Sequence, residues 1–308
     1  RTEDRDQKKI WRQTVKRLHA EKMEKKMTVV YLCRLFGRSK QAYYKDGNHL
    51  LLRMMKERMV VDFVLGERKS WPGMGGEKLW YKYSREYPSE YCMGRDAFMD
   101  ILYGHKLTLR KKKRRCRTTD SEHPYPLYEN LIKGLAVTYF GQVIVSDITY
   151  IRMGDRFCFL SIVTDVYSRS IIGYYVGQTL ESSNTIKALE KALPQLENIP
   201  GEKGSIHHSD RGVQYASYEY TDILKEHGIA ISMTQSGDPK DNAIAERVNG
   251  ILKGEFLNAH RFTGIEQVRT AVDKAVHYYN YERPHRSLNM DTPIKVAKKE
   301  GVYTYTCW

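Results

Sequence analysis

Hydrophobic spacing separates the 308-residue chain into a helical first part and a strand-rich second part. Ile10, Trp11, Val15 and Leu18 recur at helical spacing among charged neighbours, which predicts a short amphipathic helix in need of a partner surface, in the same chain or in another copy. Thr28 suits the cap of a helix carrying Val29, Leu32, Leu35 and Phe36; Gly37 suits its end, and Ser39 the cap of the next. Helix, glycine turn, helix fits a helix-turn-helix and fits a plain helical pair equally well. A second unit of the same kind follows. It has an apolar-periodic helix over Leu50 to Leu65, a WPGMGG turn from Trp71 to Gly76, a helix EKLWYKYSREY and a last helix RDAFMDILYG. Arg95 stands at the exposed start of that last helix, the groove-reading position if the unit grips DNA.

From Gln142 the pattern changes. QVIVSDITYI, RFCFLSIVTDVYS and RSIIGYYVGQT are apolar, β-branched and aromatic runs separated by short turns, which predicts an antiparallel meander. A helix over Ser182 to Leu196, a strand SIHHSD, a helix over Tyr218 to Glu226, a strand IAISMT and a helix from Asn242 come next, the order of a mixed α/β sheet covered by helices.

Charge sharpens this division. The first 120 residues hold 31 basic and 15 acidic side chains, whereas the remainder holds 20 and 22, so the whole net charge of +14 comes from the N-terminal part. A basic part joined to a near-neutral one suggests a polyanion grip attached to a different activity. The densest stretch, Lys106 to Arg117, is basic at eight of twelve positions. Its Arg110, Lys111, Lys112, Lys113, Arg114, Arg115 and Arg117 read as a linker lying along phosphates, adding affinity with little sequence preference.

Composition removes several classes. No apolar run approaches the roughly eighteen residues of a membrane span, and mean hydropathy is -0.61. The first residues lack a signal pattern, which places the chain in the cytoplasm and makes residue 1 a processing or fusion boundary. Five scattered cysteines without a CxxC pair argue against a disulfide framework and a structural zinc site. The chain contains neither a Gly-Lys dipeptide for a P-loop nor an HExxH.

Three carboxylates stand at the expected functional edges. Asp147 shares a strand face with Val143 and Val145, Asp210 ends the fourth strand, and Glu246 lies with Asn242, Asn249 and Lys253 on the polar face of a helix whose apolar face is Ile244, Val248 and Ile251. Asp165 also ends an apolar strand and reads as a turn residue. Two like charges at 4 Å repel by about 4 kcal/mol at an effective dielectric near 20, so a carboxylate cluster calls for a cation. Oxygen donors without a His or Cys set suit Mg²⁺ or Mn²⁺. A pair of such ions roughly 3.5 to 4 Å apart supports in-line substitution at a phosphodiester.

The strings SDITYI (146–151), HSDRGVQYAS (208–217), DNAIAERVNGILKGE (241–255) and YYNYERPHRSLNMDTP (278–293), together with YLCRLFGRSKQAYY and PGMGGEKLW, resemble the transposases of bacterial insertion sequences of the IS-three type. These belong to the retroviral-integrase-like superfamily of ribonuclease H fold, and the thirty-five residues between Asp210 and Glu246 match the spacing of that family's acidic triad. The resemblance implies an α/β fold: a ribonuclease H-like catalytic domain, with a mixed five-stranded sheet and helices, preceded by all-α helix-turn-helix DNA-binding domains. The implied division is an N-terminal helix over 1–27 continuing an upstream fusion segment, helix-turn-helix units over 28–48 and 49–109, a basic linker over 110–135, the catalytic domain over 136–260 and an RPH-containing tail over 261–308.

It further implies that Asp147, Asp210 and Glu246 are the catalytic metal ligands for two Mg²⁺ ions, replaceable by Mn²⁺, and that Lys253 contacts the DNA end. Arg211 and Gln214 support the site or touch DNA. His207 and His208 either back the site or pack, and packing is expected for His207. Arg283 and His285 are expected to dock the tail. The chain lacks the His and Cys zinc module of retroviral integrases, so their mode of end recognition does not transfer. The implied protein is a nucleoid-associated bacterial enzyme, at least a dimer on double-stranded DNA. It would bind terminal inverted repeats and target DNA, cleave a strand and transfer the 3′-hydroxyl. The alternatives are a domesticated DNA-binding regulator and a ribonuclease H-like nuclease.

Overall fold

Trp11 and Val15 on α1 (Thr2–Ala20) are buried against Val29, Leu32 and Cys33 of α2 (Val29–Leu35). The amphipathic helix thus finds its partner within the same chain. The Thr28 hydroxyl accepts from the Tyr31 N–H at 3.3 Å, Gly37 ends the helix at a φ of 64°, and the Ser39 hydroxyl accepts from the Ala42 N–H at 3.1 Å. The next helix, α3 (Lys40–Ser70), is a single element where separate helices on either side of residue 48 were expected. Gly47 has good helix formers beyond it, and its cost of about 1 kcal/mol is too small to break so long a run. α4 (Gly76–Glu86) and α5 (Arg95–Gly104) complete the helical part, where Tyr83 meets Phe63 and Phe98 with ring centroids 5.3 and 5.6 Å apart.

The computed structural model describes residues 2–20, 28–109, 124–197, 204–235, 242–299, 301 and 303–307. These fall into two units, Arg1–Gly66 with Lys82–Leu107, and Glu67–Tyr81 with Thr108–Trp308. The second unit contains β1 (Ala136–Val137), β2 (Val143–Met153), β3 (Arg156–Asp165), β4 (Ile171–Gly177), α6 (Ser182–Leu196), β5 (Ser205–Ser209), α7 (Val213–Ala216), α8 (Tyr218–Glu226), β6 (Ile229–Met233), α9 (Ala243–Ile251), a π-helical turn Leu252–Phe256, α10 (Ile265–Tyr281), α11 (Pro293–Ala297) and β7 (Tyr305–Thr306). Among the described residues the large sheet runs β4-β3-β2-β5-β6, antiparallel over the first three strands and parallel from β2 onward. That is the mixed sheet of a ribonuclease H-like fold. β1 and β7 pair apart from it, bringing the tail beside the start of the domain.

Alternation along β2 decides what covers each face. Ile144 joins α6 and α8 residues such as Leu189, Tyr220 and Leu224 in one core, while Val143 and Val145 join Ala245 of α9 in another. Gly173 lets α6 approach closely. A Cβ there would overlap the Ala188 carbonyl oxygen and stand 2.9 Å from the Ala192 Cβ. Gly173→Ala is therefore expected to destabilise the second unit by about 1–3 kcal/mol, read as a lowered denaturation midpoint.

Candidate active site

β2 and β5 are adjacent parallel strands in the register Val143↔Ile206, Ile144↔His207 and Val145↔His208. Carried two residues further, that register sets Asp147, within β2, opposite Asp210, just past the carboxyl end of β5, where the sheet changes from antiparallel to parallel pairing. The Asp210 Oδ1 accepts from the Gly212 N–H at 3.0 Å, and a Cβ on Gly212 would stand 3.0 Å from that oxygen, so glycine keeps the loop against it. The Tyr215 ring is buried nearby. Its hydroxyl is pushed well up from its ordinary value, by burial first, then by Tyr220, Asp147 and Asp210.

The helix face expected to be polar turns instead toward β2. The Asn249 amide donates to the Asp147 Oδ2 at 2.8 Å, and the Asn242 amide donates to the Ser146 carbonyl at 3.0 Å; both side chains are buried. Glu246, one turn before Asn249, is exposed. After Ile251 the helix widens into the π turn. Lys253 there donates to the Thr149 hydroxyl at 3.1 Å, with its ammonium 6.0 Å from the Tyr150 ring centroid. Burial lowers the Lys253 pKa, and the Asp147 charge works against that shift.

Asp147 is strongly perturbed by the same surroundings. Burial, then repulsion from Asp210, pushes its carboxyl up to about 7; the Asn249 and Ile148 N–H bonds oppose the rise, and Glu246 adds to it. Among the described residues no three His, Cys, Asp or Glu side chains already form a metal-ligand set. The donors nevertheless suit a hard divalent ion. Asp147 and Asp210 offer only oxygen, and the repulsion recorded at Asp147 is what a cation between them would relieve.

Other singled-out residues have different surroundings. Arg211 donates to the Thr234 and Gln235 carbonyls at 2.6 Å each, bracing the end of β6, and Gln214 is buried, donating to the Leu180 carbonyl at 3.0 Å. Arg95 stands exposed at the start of α5 beside Asp96 at 3.0 Å. His207 packs as expected, its Nε2 2.8 Å from the Ser146 hydroxyl and 2.9 Å from the Tyr220 hydroxyl, and burial drives its pKa down to about 3. Asp165 is a fully buried turn residue accepting from the Gly141 and Ser168 N–H groups at 2.8 and 2.6 Å. The seven basic residues Arg110, Lys111, Lys112, Lys113, Arg114, Arg115 and Arg117 lie outside the described residues.

Two features had no clear sequence signal. Asn249 is the direct partner of Asp147, and only its place on the polar helix face hinted at it. Glu255, in the π turn beside Lys253, takes a bidentate bond from Arg283 at 2.6 and 2.8 Å and a third from Lys78 at 2.7 Å. The Trp71–Gly76 stretch does turn, as expected, and it belongs with its partners to the second unit. The Trp71 ring meets Phe256 and Tyr278 edge-on, and the Gly73 N–H donates to the Glu255 carbonyl at 2.9 Å. Burial pushes the Glu255 carboxyl up, but Arg283 and Lys78 outweigh it and hold the group below its ordinary value. Arg283 therefore ties the tail to the π turn, while His285 contacts Arg283 and the Tyr279 carbonyl within the tail.

Two outcomes follow from this geometry. A carboxyl whose folded pKa exceeds its unfolded one favours the fold while protonated. The Asp147 contribution is therefore present below about 4 and lost as pH rises through about 7. In chelator, the melting temperature of Asp147→Asn should gain on the parent between those values and keep a constant lead above them; parallel pH profiles would show an unperturbed carboxyl. Arg283→Ala strands a buried carboxylate with one partner and should cost about 3–5 kcal/mol in denaturant titration. Breaking the exposed Arg58–Asp62 pair should cost less than about 1 kcal/mol.

Two family models match this region, both described as integrase core domain, over residues 140–239 and 227–293. The chain is 29% identical over 272 residues to the uncharacterized 31 kDa protein of insertion element IS600 from Shigella sonnei, covering 87% of this chain and 98% of that one. It is 31% identical over 230 residues to the transposase named for insertion sequence element IS986/IS6110 of Mycobacterium tuberculosis, covering 72% of this chain and 80% of that one. Among solved structures, the catalytic core domain of HTLV-2 integrase in complex with magnesium, in its dimeric form, covers 54% of this chain and 99% of that one at 19% identity and a TM-score of 0.41. With integrase core matches across the carboxylate-bearing sheet and the helices after it, and with transposase relatives along most of its length, the chain belongs to the integrase-related insertion-sequence transposases, enzymes of polynucleotidyl transfer.

Proposed function

We propose that the protein binds the terminal inverted repeats of an insertion sequence, cleaves a strand there in a magnesium-dependent step and joins the freed 3′-hydroxyl to a phosphodiester of target DNA. The observation that carries this reading is the buried Asp147 carboxyl, raised to about 7 beside Asp210 and within electrostatic reach of Glu246. Isolated surface carboxylates do not acquire such a shift. Asp147, Asp210 and Glu246 would hold two Mg²⁺ ions, or Mn²⁺ in their place, and the bound ions supply the charge that activates an attacking oxygen and stabilises a leaving one.

The chain's own groups do the positioning. Asn249 fixes one oxygen of Asp147, and the Ile148 N–H the other, so the carboxylate presents a constant direction. Glu246 stands exposed at the mouth, where a DNA end would meet it. Lys253, bonded to Thr149 and within the field of Asp147, would contact the phosphate next to the scissile bond. Arg211 and Gln214 tie the Asp210 loop to neighbouring backbone, which supports an ordering role at the site's edge.

The helical part, with α2 and the start of α3 around a glycine turn and with Arg95 at the exposed start of α5, would grip the repeats, and the basic run would add phosphate contacts. Residues 136–260 would carry catalysis, and 261–308 would brace it. Processing two element ends requires two sites, so the working form is at least a dimer on DNA. Among the described residues no helix is long and apolar enough to cross a membrane, in keeping with a bacterial enzyme that acts at the nucleoid.

Asp147→Asn, Asp210→Asn and Glu246→Gln are each expected to lower cleavage and joining by about 10³-fold or more, with binding of repeat duplexes retained. The measurement is strand cleavage and joining with Mg²⁺ alongside a gel-shift assay. Undiminished joining by Glu246→Gln would overturn the assignment. Repeat binding by the parent protein without any cutting would instead leave a DNA-binding regulator, and preference for RNA in a hybrid duplex would leave a nuclease.

A further inference from the structure

The face of α9 opposite Glu246 and Asn249 borders a cavity of about 390 Å³. Arg247 lies on that face with Ala243, Ile244, Val248 and Ile251, about half a turn of helix away from the carboxylate side. Five basic residues, Lys78, Arg169, Arg247, Arg283 and Arg286, line the cavity, and among the described residues no acidic one does. Glu255 already neutralises part of this charge through Lys78 and Arg283, and Glu77 lies 3.7 Å from the exposed Arg286. Among the described residues no carboxylate pairs with Arg169 or Arg247.

Arg169 is the unusual member. It is only 9% exposed, and one terminal nitrogen of its guanidinium, Nη1, is buried without a hydrogen-bond partner among the described residues. Its central carbon lies 3.9 Å from the centroid of the Tyr305 ring, which steadies the group but satisfies no N–H. Its backbone has a φ of 64°, a conformation glycine or asparagine adopts at less cost. A permanently charged side chain kept there, bordering a cation-lined cavity and holding an unmet donor, calls for an anionic acceptor. His285 adds no charge of its own. Burial first, then Arg283, Lys78 and Arg169, drives its pKa down to about 2.

We propose that this cavity is a phosphate-binding site that takes a backbone phosphate of a DNA strand, with Arg169 at its floor and Arg247 and Arg286 around it. Guanidinium groups suit phosphate because their paired N–H donors match two of its oxygens. DNA, as the source of that phosphate, rests on the transposase reading. α9 would then hold DNA on both faces, reacting at one and anchored at the other, so that a strand seated in the cavity also fixes the helix that carries Glu246.

The test compares the parent, Arg247→Gln/Arg286→Gln and Arg169→Lys, all in an Asp147→Asn background so that binding is read without cutting. Inorganic phosphate should raise the parent's melting temperature above that in chloride of equal ionic strength, and the rise should disappear in the double variant. For a fluorescent duplex, the slope of log affinity against log salt should be shallower by about 0.9 for each phosphate released, with affinity lowered several-fold. Arg169→Lys keeps the charge but not the paired donors and should lose the phosphate effect too. Lys187→Gln/Lys225→Gln removes the same charge from α6 and α8 and should leave the phosphate effect in place. An equal loss there, or unchanged slope and phosphate response in the double variant, overturns the site. Loss of the phosphate response with unchanged duplex binding makes it a free-anion site and overturns the DNA assignment. Each of these failures leaves the carboxylate assignment standing, since none depends on cleavage.

Discussion

The repulsion between Asp147 and Asp210 is the constraint around which the second unit is arranged. Two carboxylates on neighbouring parallel strands do not stay together by their own preference. They are held by a sheet whose register is set on both sides of β2, by ten paired positions with β3 and three with β5. A slip of one residue would turn Asp147 to the opposite face and a core residue toward the cleft, so burial of Val143, Val145, Ile144 and Ile148 protects the placement of the acid between them. The Asn249 amide then supplies from α9 the one direct bond that crosses from the helix to that carboxylate.

A second set of charges maintains α9 and the π turn behind it. Glu255 gathers Arg283 from the segment after α10 and Lys78 from the start of α4, and the Trp71, Phe256 and Tyr278 rings pack beside them. Buried ion pairs add little net stability over apolar substitutes, but they fix geometry, because each member is costly to leave alone. Here they fix the backbone two residues from Lys253. The π turn fits this role, since an extra residue in the turn re-aims the side chains that follow Glu246.

Much of the fold was legible because the strands and helices of the second unit are local amphipathic patterns. Ser182 to Leu196 and Tyr218 to Glu226 begin and end where periodicity placed them, and Thr28, Gly37 and Ser39 punctuate the first helices as their side chains suggest. The continuous α3 was not legible, because the apolar period that marks its second half begins only at Leu50, while the helix itself runs unbroken from Lys40. Nor were the partners of Trp71 and Gly73, because a turn motif does not say which distant surface it packs on.

Sequence alone determined that acidic residues sit at the ends of apolar strands and on one helix face, that the charge surplus lies in the first 120 residues, and that the order of elements is that of a mixed sheet. These are properties of neighbouring residues and their spacing. Tertiary structure decided that the polar face of α9 points inward to β2, that Asn249 rather than solvent meets Asp147, that Arg211 braces backbone, and that five basic residues from separate segments converge on one cavity. Those outcomes depend on contacts between residues 23 to 102 apart in the chain, where sequence distance carries no information about distance in space, and on burial, which pushes the Asp147 carboxyl up to about 7.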